Sequence, residues 1–289
     1  MHEFELHLPR KLDQALTLLQ DGGPTAVAMA GGTDLLVLMK QEALAPRMVV
    51  GLSRLNELKG VRRQNGTISI GAGSTIVAVE SDSLLAAHAR GLIDAAERMA
   101  TVQIRNLATV GGNLASAAAC GDLAPILIAL DAAVRLRSTS GERELPLADC
   151  FTGPRTTVLA PGELITDIRV PESGPGSGSA YVKFGYRGGS QIAVVSAAAR
   201  VIQEKGKARG IRLVLGAVAP VPFLVKGVSV LVGRAIEGAP LAAACAAAAS
   251  ECRPISDIRG SESYRRGITS VIARKALELA WKRSLGHAH

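Results

Sequence analysis

The chain is poor in aromatic and cysteine side chains. Phe, Trp and Tyr make up 3% of its 289 residues, which argues against binding of single-stranded nucleic acid by base stacking, because that mode needs aromatic platforms. The four cysteines, Cys120, Cys150, Cys245 and Cys252, form no Cys-x-x-Cys pair. Zinc ribbons and iron–sulfur clusters need grouped thiolates, so we expect neither here, and sparse cysteine is typical of a reducing compartment.

Histidines and the common nucleophile motifs are equally scarce. Among five histidines, only His88 lies away from the chain ends, in the alanine-rich setting of an ordinary helix. The sequence contains no Gly-x-Ser-x-Gly elbow, no Gly-x-Gly-x-x-Gly fingerprint and no Gly-Lys-Ser/Thr phosphate loop. These absences disfavour a Ser-His-Asp hydrolase, a histidine metal site, a simple Rossmann fold and a P-loop nucleotidase. We therefore predict no catalytic and no metal-ligating residues.

Long apolar runs are also missing. The longest apolar stretch, residues 114–136, contains Asp122, Pro125, Asp131 and Arg135, which is incompatible with a transmembrane helix. The N-terminal Met-His-Glu-Phe-Glu has neither the basic nor the apolar region of a secretory signal. We expect a cytoplasmic protein without a transmembrane segment.

Basic residues are abundant but unevenly distributed. The formal net charge is −2 over residues 1–170 and +10 over residues 171–289. A turn-rich run, residues 173–179, coincides with this change and predicts a boundary between a domain of residues 1–172 and a second of residues 179–289. A basic domain can bind nucleic acid, an anionic membrane or an acidic partner, or it can simply present a solvated surface. No run of five basic residues supports a polybasic tail.

Hydrophobic periodicity predicts a mixed α and β protein. Predicted helices span residues 11–20, 35–41, 84–99, 122–130, 235–251 and 264–284. Predicted strands of the first domain span residues 25–30, 48–52, 61–64, 67–71, 132–138, 143–147 and 163–170, and Asn65-Gly66 indicates a hairpin. In the second domain, strand candidates at 180–186, 192–203 and 211–219 predict a three-stranded antiparallel sheet backed by helices.

A first pair of glycines, Gly31-Gly32, lies between a predicted strand and a predicted helix. Glycines there allow backbone N–H groups to face a phosphate, and the helix N-terminus adds a positive dipole. Thr33 can donate a further hydrogen bond. Asp34 suits an N-cap or an acceptor for a hydroxyl, because its charge repels phosphate. A plain strand-to-helix turn is the alternative for this loop taken alone.

A second loop, residues 109–113 (Thr-Val-Gly-Gly-Asn), has the same character. Ser116 follows it, and Gly121 and Asp122 precede a predicted helix. Two such loops favour one ligand with two phosphates, held by backbone amides. A diphosphate site in a chain with few acid–base groups suggests that a cofactor supplies the chemistry.

Several motifs together carry a family resemblance. They are residues 30–40 (AGGTDLLVLMK), 104–115 (IRNLATVGGNLA), 121–125 (GDLAP), 164–165 (LI), 181–183 (YVK) and 257–266 (DIRGSESYRR). The chain resembles, over nearly its whole length, the FAD-binding medium subunit of molybdenum hydroxylases, the family of xanthine dehydrogenase and aerobic carbon monoxide dehydrogenase. The resemblance implies an α+β fold: a two-subdomain FAD-binding fold of the vanillyl-alcohol-oxidase (PCMH) type, followed by a C-terminal domain with the small antiparallel sheet and helices.

The resemblance also implies a set of FAD contacts. By motif position these are Ala30, Gly31, Gly32, Thr33, Asp34, Leu35, Thr109, Gly111, Gly112, Asn113, Ser116, Gly121, Asp122, Ile165 and Lys183. It implies that the two loops hold the pyrophosphate, that Asp122 accepts a hydrogen bond from a ribose or adenine group, and that Ile165 packs on the cofactor. Lys183 would reach the isoalloxazine, where a cation stabilises reduced flavin, with a solvated strand lysine as the alternative. Relatives often have Asp where this chain has Gln191, which affects contacts at the flavin edge.

The implied function is electron transfer within a larger enzyme. Partners would be a small [2Fe-2S] subunit and a large molybdopterin subunit, as a dimer of heterotrimers, with electrons passing through FAD to NAD, oxygen or a quinone-like acceptor. The substrate and the acceptor stay open. Two other functions compete with this one: a stand-alone FAD-dependent reductase of related fold, and a non-enzymatic adaptor that docks through the basic domain.

We predict that FAD is bound without a covalent link, because neither glycine loop contains a His or Cys. Acid precipitation of the yellow protein should leave intact FAD in the supernatant, identified by its mass. Release of FMN instead, or colour that stays with the precipitate, would contradict the prediction.

Overall fold

The computed structural model describes residues 1–287. Up to residue 172 the chain forms two main sheets with helices between them. The strands are β1 (Glu5–His7), β2 (Ala26–Met29), β3 (Met48–Gly51), β4 (Val61–Gln64), β5 (Thr67–Gly71), β6 (Ala133–Ser138), β7 (Gly141–Pro146), β8 (Phe151–Gly153), β9 (Thr156–Thr157) and β10 (Leu164–Pro171). The helices are α1 (Leu12–Gly22), α2 (Leu35–Lys40), α3 (Ile76–Glu80), α4 (Ser83–His88), α5 (Arg90–Arg98), α6 (Val102–Arg105), α7 (Val110–Ala115) and α8 (Leu123–Ala129).

The first sheet is parallel, with strand order β1-β3-β2. Helix α1 covers it through Leu12, Ala15, Leu16 and Leu19, which are all buried, as their helical spacing predicts. Because β2 and β3 run in parallel, the loop that follows β2 emerges at the carboxyl edge of the sheet. The first glycine pair lies in this loop.

The second sheet is antiparallel, with strand order β4-β5-β10-β6-β7. The predicted hairpin is confirmed: β4 pairs with β5, and Asn65 and Gly66 have φ of 50° and 74°. Two consecutive positive φ values match the right-handed twist of the paired strands. Ile68 and Ile70 of β5 point into a core shared with α3, α5, α7 and α8.

The predicted single helix over residues 84–99 is wrong. Ala89, with φ −142° and ψ 44°, separates α4 from α5. The break turns Gly91 toward the C-terminal region, where its backbone N–H donates to Ser179 Oγ at 3.0 Å. A Cβ on Gly91 would lie 2.6 Å from Ile126 Cδ1 and 2.9 Å from the Ala180 nitrogen. The amphipathic pattern continues across the bend, so periodicity alone does not reveal it.

The C-terminal region is one antiparallel sheet with two long helices on one face. Its elements are β11 (Ser177–Phe184), β12 (Val195–Glu204), β13 (Lys207–Gly216), β14 (Phe223–Leu224), α9 (Gly238–Glu251) and α10 (Glu262–Ser284). The order β11-β12-β13-β14 contains the three predicted strands, and the two-residue β14 adds a short fourth. Within residues 1–287 no helix is long and apolar enough to cross a membrane.

The two faces of this sheet contact different cores. Tyr181, Ala198 and Val214 are paired across three strands and pack into the core of the N-terminal region. Their neighbours in sequence, including Ala197 and Leu213, pack against α9 and α10. Side chains alternate across a strand, so β11, β12 and β13 are buried on both faces. The regions are thereby joined through a continuous apolar contact.

Gly178 shows how tightly β11 packs on α10. A Cβ at Gly178 would overlap the Ala280 carbonyl oxygen and the Ser284 nitrogen, which are backbone atoms. We predict that Gly178→Ala lowers the free energy of unfolding by about 1–3 kcal/mol, the usual cost of overpacking. Gly174→Ala is the matched control, since nothing lies within 4 Å of its Cβ position. Urea denaturation measures both, and equal midpoints would contradict the prediction.

Candidate cofactor site

The first glycine loop joins β2 to α2 and contacts the chain around residue 107, just before α7. Gly32 has φ 69°, which favours glycine. A Cβ at Gly31 would overlap the Leu107 carbonyl, so the two backbones are in direct contact there. Only Gly32 therefore needs its freedom in φ, whereas Gly31 is required by packing.

The second glycine loop is organised by Thr109. Its side-chain oxygen caps α7 by accepting from the Gly112 N–H at 3.1 Å. Gly111 packs on Ala72, whose Cβ would lie 2.6 Å from a Cβ at Gly111, and the Gly111 N–H donates to the Ala72 carbonyl at 2.8 Å. The sequence suggested one role for both glycines. In the structure Gly111 is required by packing against Ala72, whereas Gly112 is exposed.

The two loops form a neck between two chambers. The neck is shared by both chambers and consists of Ala28, Ala30, Gly31, Thr109, Gly112 and Ala115. On one side lies a chamber of about 600 Å³ that contains Asp122, called here the Asp122 chamber. On the other lies a chamber of about 450 Å³ that contains Ile165, called the Ile165 chamber. A ligand that occupies both must be extended and must pass the glycine loops at its middle.

The sequence-predicted residues divide between these chambers. The Asp122 chamber contains Ala30, Gly31, Gly32, Thr33, Asp34, Leu35, Thr109, Gly112, Asn113, Ser116, Gly121 and Asp122. The Ile165 chamber contains Ala30, Gly31, Thr109, Gly111, Gly112 and Ile165. Lys183 lines neither chamber and lies behind Asp122. Fourteen of the fifteen predicted residues thus surround one continuous cleft.

Asp34 does not act as the expected side-chain cap of α2. Its carboxylate accepts no hydrogen bond from the helix and pairs with Arg155 Nη1 at 3.2 Å instead. Helices α2 and α7 are also only six residues long, so the macrodipole is weaker than the sequence argument assumed. The free donors of the first loop are its backbone amides, since the N–H groups of Gly31, Gly32 and Thr33 make no hydrogen bond within residues 1–287.

Lys183 is not the solvated strand lysine of the alternative reading. Its side chain is 1% exposed, and Nζ donates to Asp122 Oδ2 at 3.0 Å and to the Arg98 carbonyl at 3.2 Å. Asp122 and Lys183 therefore serve the same end of the cleft. Because the two side chains are in contact, Asp122 cannot bind the adenine half of FAD while Lys183 reaches the isoalloxazine. One of these two expectations is therefore wrong.

Three features of the Asp122 chamber were missed from the sequence. The Tyr181 hydroxyl donates to Asp122 Oδ1 at 2.7 Å. Cys120 lines the chamber, although it lies outside both glycine loops. Residues 190–192 of the C-terminal region close one side. Only the packing of the C-terminal sheet, with β11 on α5 and with β12 and β13 on α8, brings Tyr181 to the site, so no local motif could have indicated it.

Gln191 stabilises this closing loop. In the amide orientation that satisfies both ends, its nitrogen donates to the carbonyls of Gly185 at 3.2 Å and Arg187 at 2.5 Å. An Asp at this position has no N–H to donate. The Gln191 amide therefore holds residues 185–191 together through two hydrogen bonds that an Asp at this position could not donate.

One buried acceptor still needs a donor. Asn113 Oδ1 is shielded from solvent and makes no hydrogen bond within residues 1–287. It faces the Gly121 side of the Asp122 chamber, 3.8 Å from where a Cβ of Gly121 would lie. Buried polar atoms are normally satisfied, so a hydroxyl or N–H of a bound ligand fits here. Within residues 1–287, no three His, Cys, Asp or Glu side chains form a group that could hold a metal ion.

These features suit a protein that holds an extended cofactor with a central diphosphate. The comparisons with known proteins agree. Residues 2–173 match the family described as the FAD binding domain in molybdopterin dehydrogenase, and residues 180–280 match the CO dehydrogenase flavoprotein C-terminal domain. The chain belongs to this family of FAD-binding subunits of molybdenum-containing dehydrogenases.

Individual relatives cover nearly the whole chain. The carbon monoxide dehydrogenase medium chain of Hydrogenophaga pseudoflava is 32% identical, over 97% of this chain and 98% of its own. The xanthine dehydrogenase FAD-binding subunit of Escherichia coli O157:H7 is 30% identical, over 95% and 94%. The solved carbon monoxide dehydrogenase of H. pseudoflava superimposes with a TM-score of 0.94 at 31% identity, covering 98% of each chain.

FAD is the cofactor of this family, and the residues present fit it. The N–H groups of Gly31, Gly32 and Thr33, which line the Asp122 chamber, make no hydrogen bond within residues 1–287 and are available to a diphosphate, and Asn113 Oδ1 lacks a donor. The family match thus confirms the predicted cofactor and fold class.

We predict that Gly112→Val abolishes FAD binding. Its side chain would fill the neck and push on Thr109 Oγ1, which would lie 2.9 Å from the new Cβ. Loss of two charge-assisted hydrogen bonds, worth roughly 1.5–3 kcal/mol each, weakens binding by about a hundredfold or more. Gly32→Val should act similarly and also strains a φ of 69°.

The matched control is Gly267→Val in α10, where nothing lies within 4 Å of the Cβ position. Bound flavin per chain is measured by absorbance after gel filtration. Full flavin content in both glycine-loop variants, Gly112→Val and Gly32→Val, would contradict the assignment of the loops.

Proposed function

We propose that this chain is the electron-transfer subunit of a heteromeric molybdenum hydroxylase. It takes electrons from [2Fe-2S] clusters on a partner subunit and passes them to an external acceptor. The observation that carries the proposal is the cleft itself: a site for one FAD, with no metal-binding group among the described residues. In this proposal the chain relays electrons through FAD, and hydroxylation of the substrate takes place on a partner subunit.

The diphosphate of FAD lies at the neck in this proposal. The Ile165 chamber takes the adenine half, because its wall of Leu52, Leu58, Leu164 and Ile165 suits a flat heteroaromatic ring. The Asp122 chamber takes the ribityl chain and isoalloxazine. Placement of the isoalloxazine there is supported by residues 190–192, which bring the C-terminal region to this end of the cofactor.

The chain's own residues bind, orient and shield the flavin. FAD, when bound, supplies the redox chemistry by accepting and releasing electrons singly or in pairs. Asp122 accepts a hydrogen bond from the flavin half, Asn113 Oδ1 accepts another, and Ile165 packs on the adenine. Lys183 acts on the flavin through Asp122, because its ammonium group is held behind that carboxylate.

A stand-alone reductase needs an acid that protonates its substrate. The carboxylates that line the Asp122 chamber are Asp34 and Asp122, and each is paired with a basic side chain. Neither is free to act as that acid. The electron-transfer role is therefore favoured over the reductase.

Substrate choice belongs to other subunits in this proposal. The related chains carry names for different substrates, including carbon monoxide, xanthine and 6-hydroxypseudooxynicotine, yet each alignment covers at least 95% of this chain. A shared flavin subunit serving different chemistries fits a substrate site elsewhere. We further propose a cytoplasmic complex that pairs two copies of a flavin, iron–sulfur and molybdenum set.

We predict that the native chain purifies in equal amounts with an iron–sulfur subunit and a molybdenum subunit. Metal analysis of the complex should find iron and molybdenum, whereas the isolated chain should bind FAD and turn over no substrate of the complex. Hydroxylation by the isolated chain would overturn the proposal.

The +10 charge of residues 171–289 predicts that association weakens with salt, since complementary charges speed encounter and fix register. Sedimentation of the complex across a salt series measures this effect. Salt-insensitive assembly would contradict the electrostatic part of the proposal and leave the complex itself in place.

A further inference from the structure

A buried network behind the Asp122 chamber joins both regions of the chain. Asp122 precedes α8 in the N-terminal region, whereas Tyr181 and Lys183 lie on β11 of the C-terminal region. Tyr181 is 1% exposed and its hydroxyl donates to Asp122 Oδ1 at 2.7 Å. Lys183 Nζ donates to Oδ2 of the same carboxylate at 3.0 Å. The N-terminal region alone therefore lacks both donors that hold Asp122.

We propose that Tyr181 is a positioning residue for the cofactor: its hydroxyl, together with Lys183, holds the Asp122 carboxylate ionised and directed into the chamber, where it accepts a hydrogen bond from the flavin half of FAD. The proposal rests on the proposed placement of that half in the Asp122 chamber.

The hydrogen-bonding capacity of the carboxylate supports this role. An ionised carboxylate offers about four lone-pair sites, and the two donors from β11 occupy one on each oxygen. The remaining capacity faces the chamber that Asp122 lines. Because Lys183 balances its charge, the site suits a neutral donor such as a ribityl hydroxyl or the flavin ring N–H rather than a cation.

The protonation states are consistent with this arrangement. Burial holds the pKa of Asp122 above its usual value, although the Lys183 charge and the hydrogen bonds from Tyr181 and Lys183 lower it. Burial and the neighbouring Asp122 raise the pKa of the Tyr181 phenol well above its usual value, so it stays a donor at neutral pH. Removing the hydroxyl therefore takes away one of the effects that favour the ionised carboxylate.

Other charged groups around the network are accounted for. Asp94 of α5 accepts from the Tyr181 backbone N–H at 3.2 Å and forms an ion pair with Arg283, so it fixes the strand rather than the phenol. Cys120 acts electrostatically on Tyr181, and Arg259 lies beside Cys120. A Cys120→Ser background in every protein tested removes the thiol as a source of pH dependence.

The test compares Tyr181→Phe with Tyr264→Phe, a change at a tyrosine that is 42% exposed and lines neither chamber. Apoprotein is titrated with FAD from about pH 5 to about pH 8, with flavin fluorescence as the readout. Protonation of Asp122 weakens it as an acceptor, since a neutral carboxyl accepts less strongly than a carboxylate, so FAD affinity falls as pH falls through its pKa. We expect Tyr181→Phe to move this midpoint to higher pH by about one pH unit or more, and to weaken binding about tenfold at the acidic side.

Tyr264→Phe should keep the parent profile. Asp122→Asn should weaken FAD binding with no midpoint, because an amide does not titrate, and Asp122→Asn combined with Tyr181→Phe should also be pH-independent. A uniform loss of affinity at every pH in Tyr181→Phe, or a parent-like profile, would overturn the positioning role. Full FAD affinity in Asp122→Asn would instead overturn the placement of the flavin half on which the role depends.

Discussion

The site depends on direct backbone contact between two loops that are far apart in sequence. Gly31 packs on the Leu107 carbonyl and Gly111 packs on Ala72, and neither position has room for a Cβ. The contact of Gly31 joins the loop after β2 to the segment before α7, the contact of Gly111 fixes α7 against the end of β5, and Gly32 and Gly112 are left facing the cleft. The neck is thus a packed structural element whose outer face is available to a diphosphate.

The chambers on either side of the neck have different chemistry. The Ile165 chamber is lined mainly by aliphatic side chains, whereas the Asp122 chamber combines a buried ion pair, an unsatisfied Asn113 oxygen and residues 190–192. A low-dielectric wall strengthens each of these polar contacts. A cofactor with one flat apolar end and one hydroxyl-rich, redox-active end matches this division.

Local patterns in the sequence predicted much of the fold and the position of the loops. Helix α1, the Asn65-Gly66 hairpin and the three long C-terminal strands follow from spacing and turn residues that act over a few positions. The bend at Ala89 did not follow, because it is imposed by the contact of Gly91 with β11. The residues proposed to lie near the diphosphate could also be predicted from the sequence, because each glycine loop is one short motif.

The ion-pair partners of the charged residues could not be predicted from local patterns. The pairing of Asp34 with Arg155 spans more than a hundred positions, and that of Asp122 with Lys183 crosses from one region to the other. Long-range ion pairs leave no periodic signal in one sequence. Their burial decides whether a lysine is solvated or is part of the site, and only the packed structure supplies that information.

The central claim is that FAD threads the neck with its two ends in opposite chambers. A crystal structure of the chain with bound FAD tests it most directly. We predict diphosphate oxygens within hydrogen-bond distance of backbone N–H groups of the first glycine loop and beside Gly112 of the second, the adenine beside Ile165 and the flavin half beside Asp122. A diphosphate held by lysine or arginine side chains, or a cofactor folded into one chamber, would contradict it.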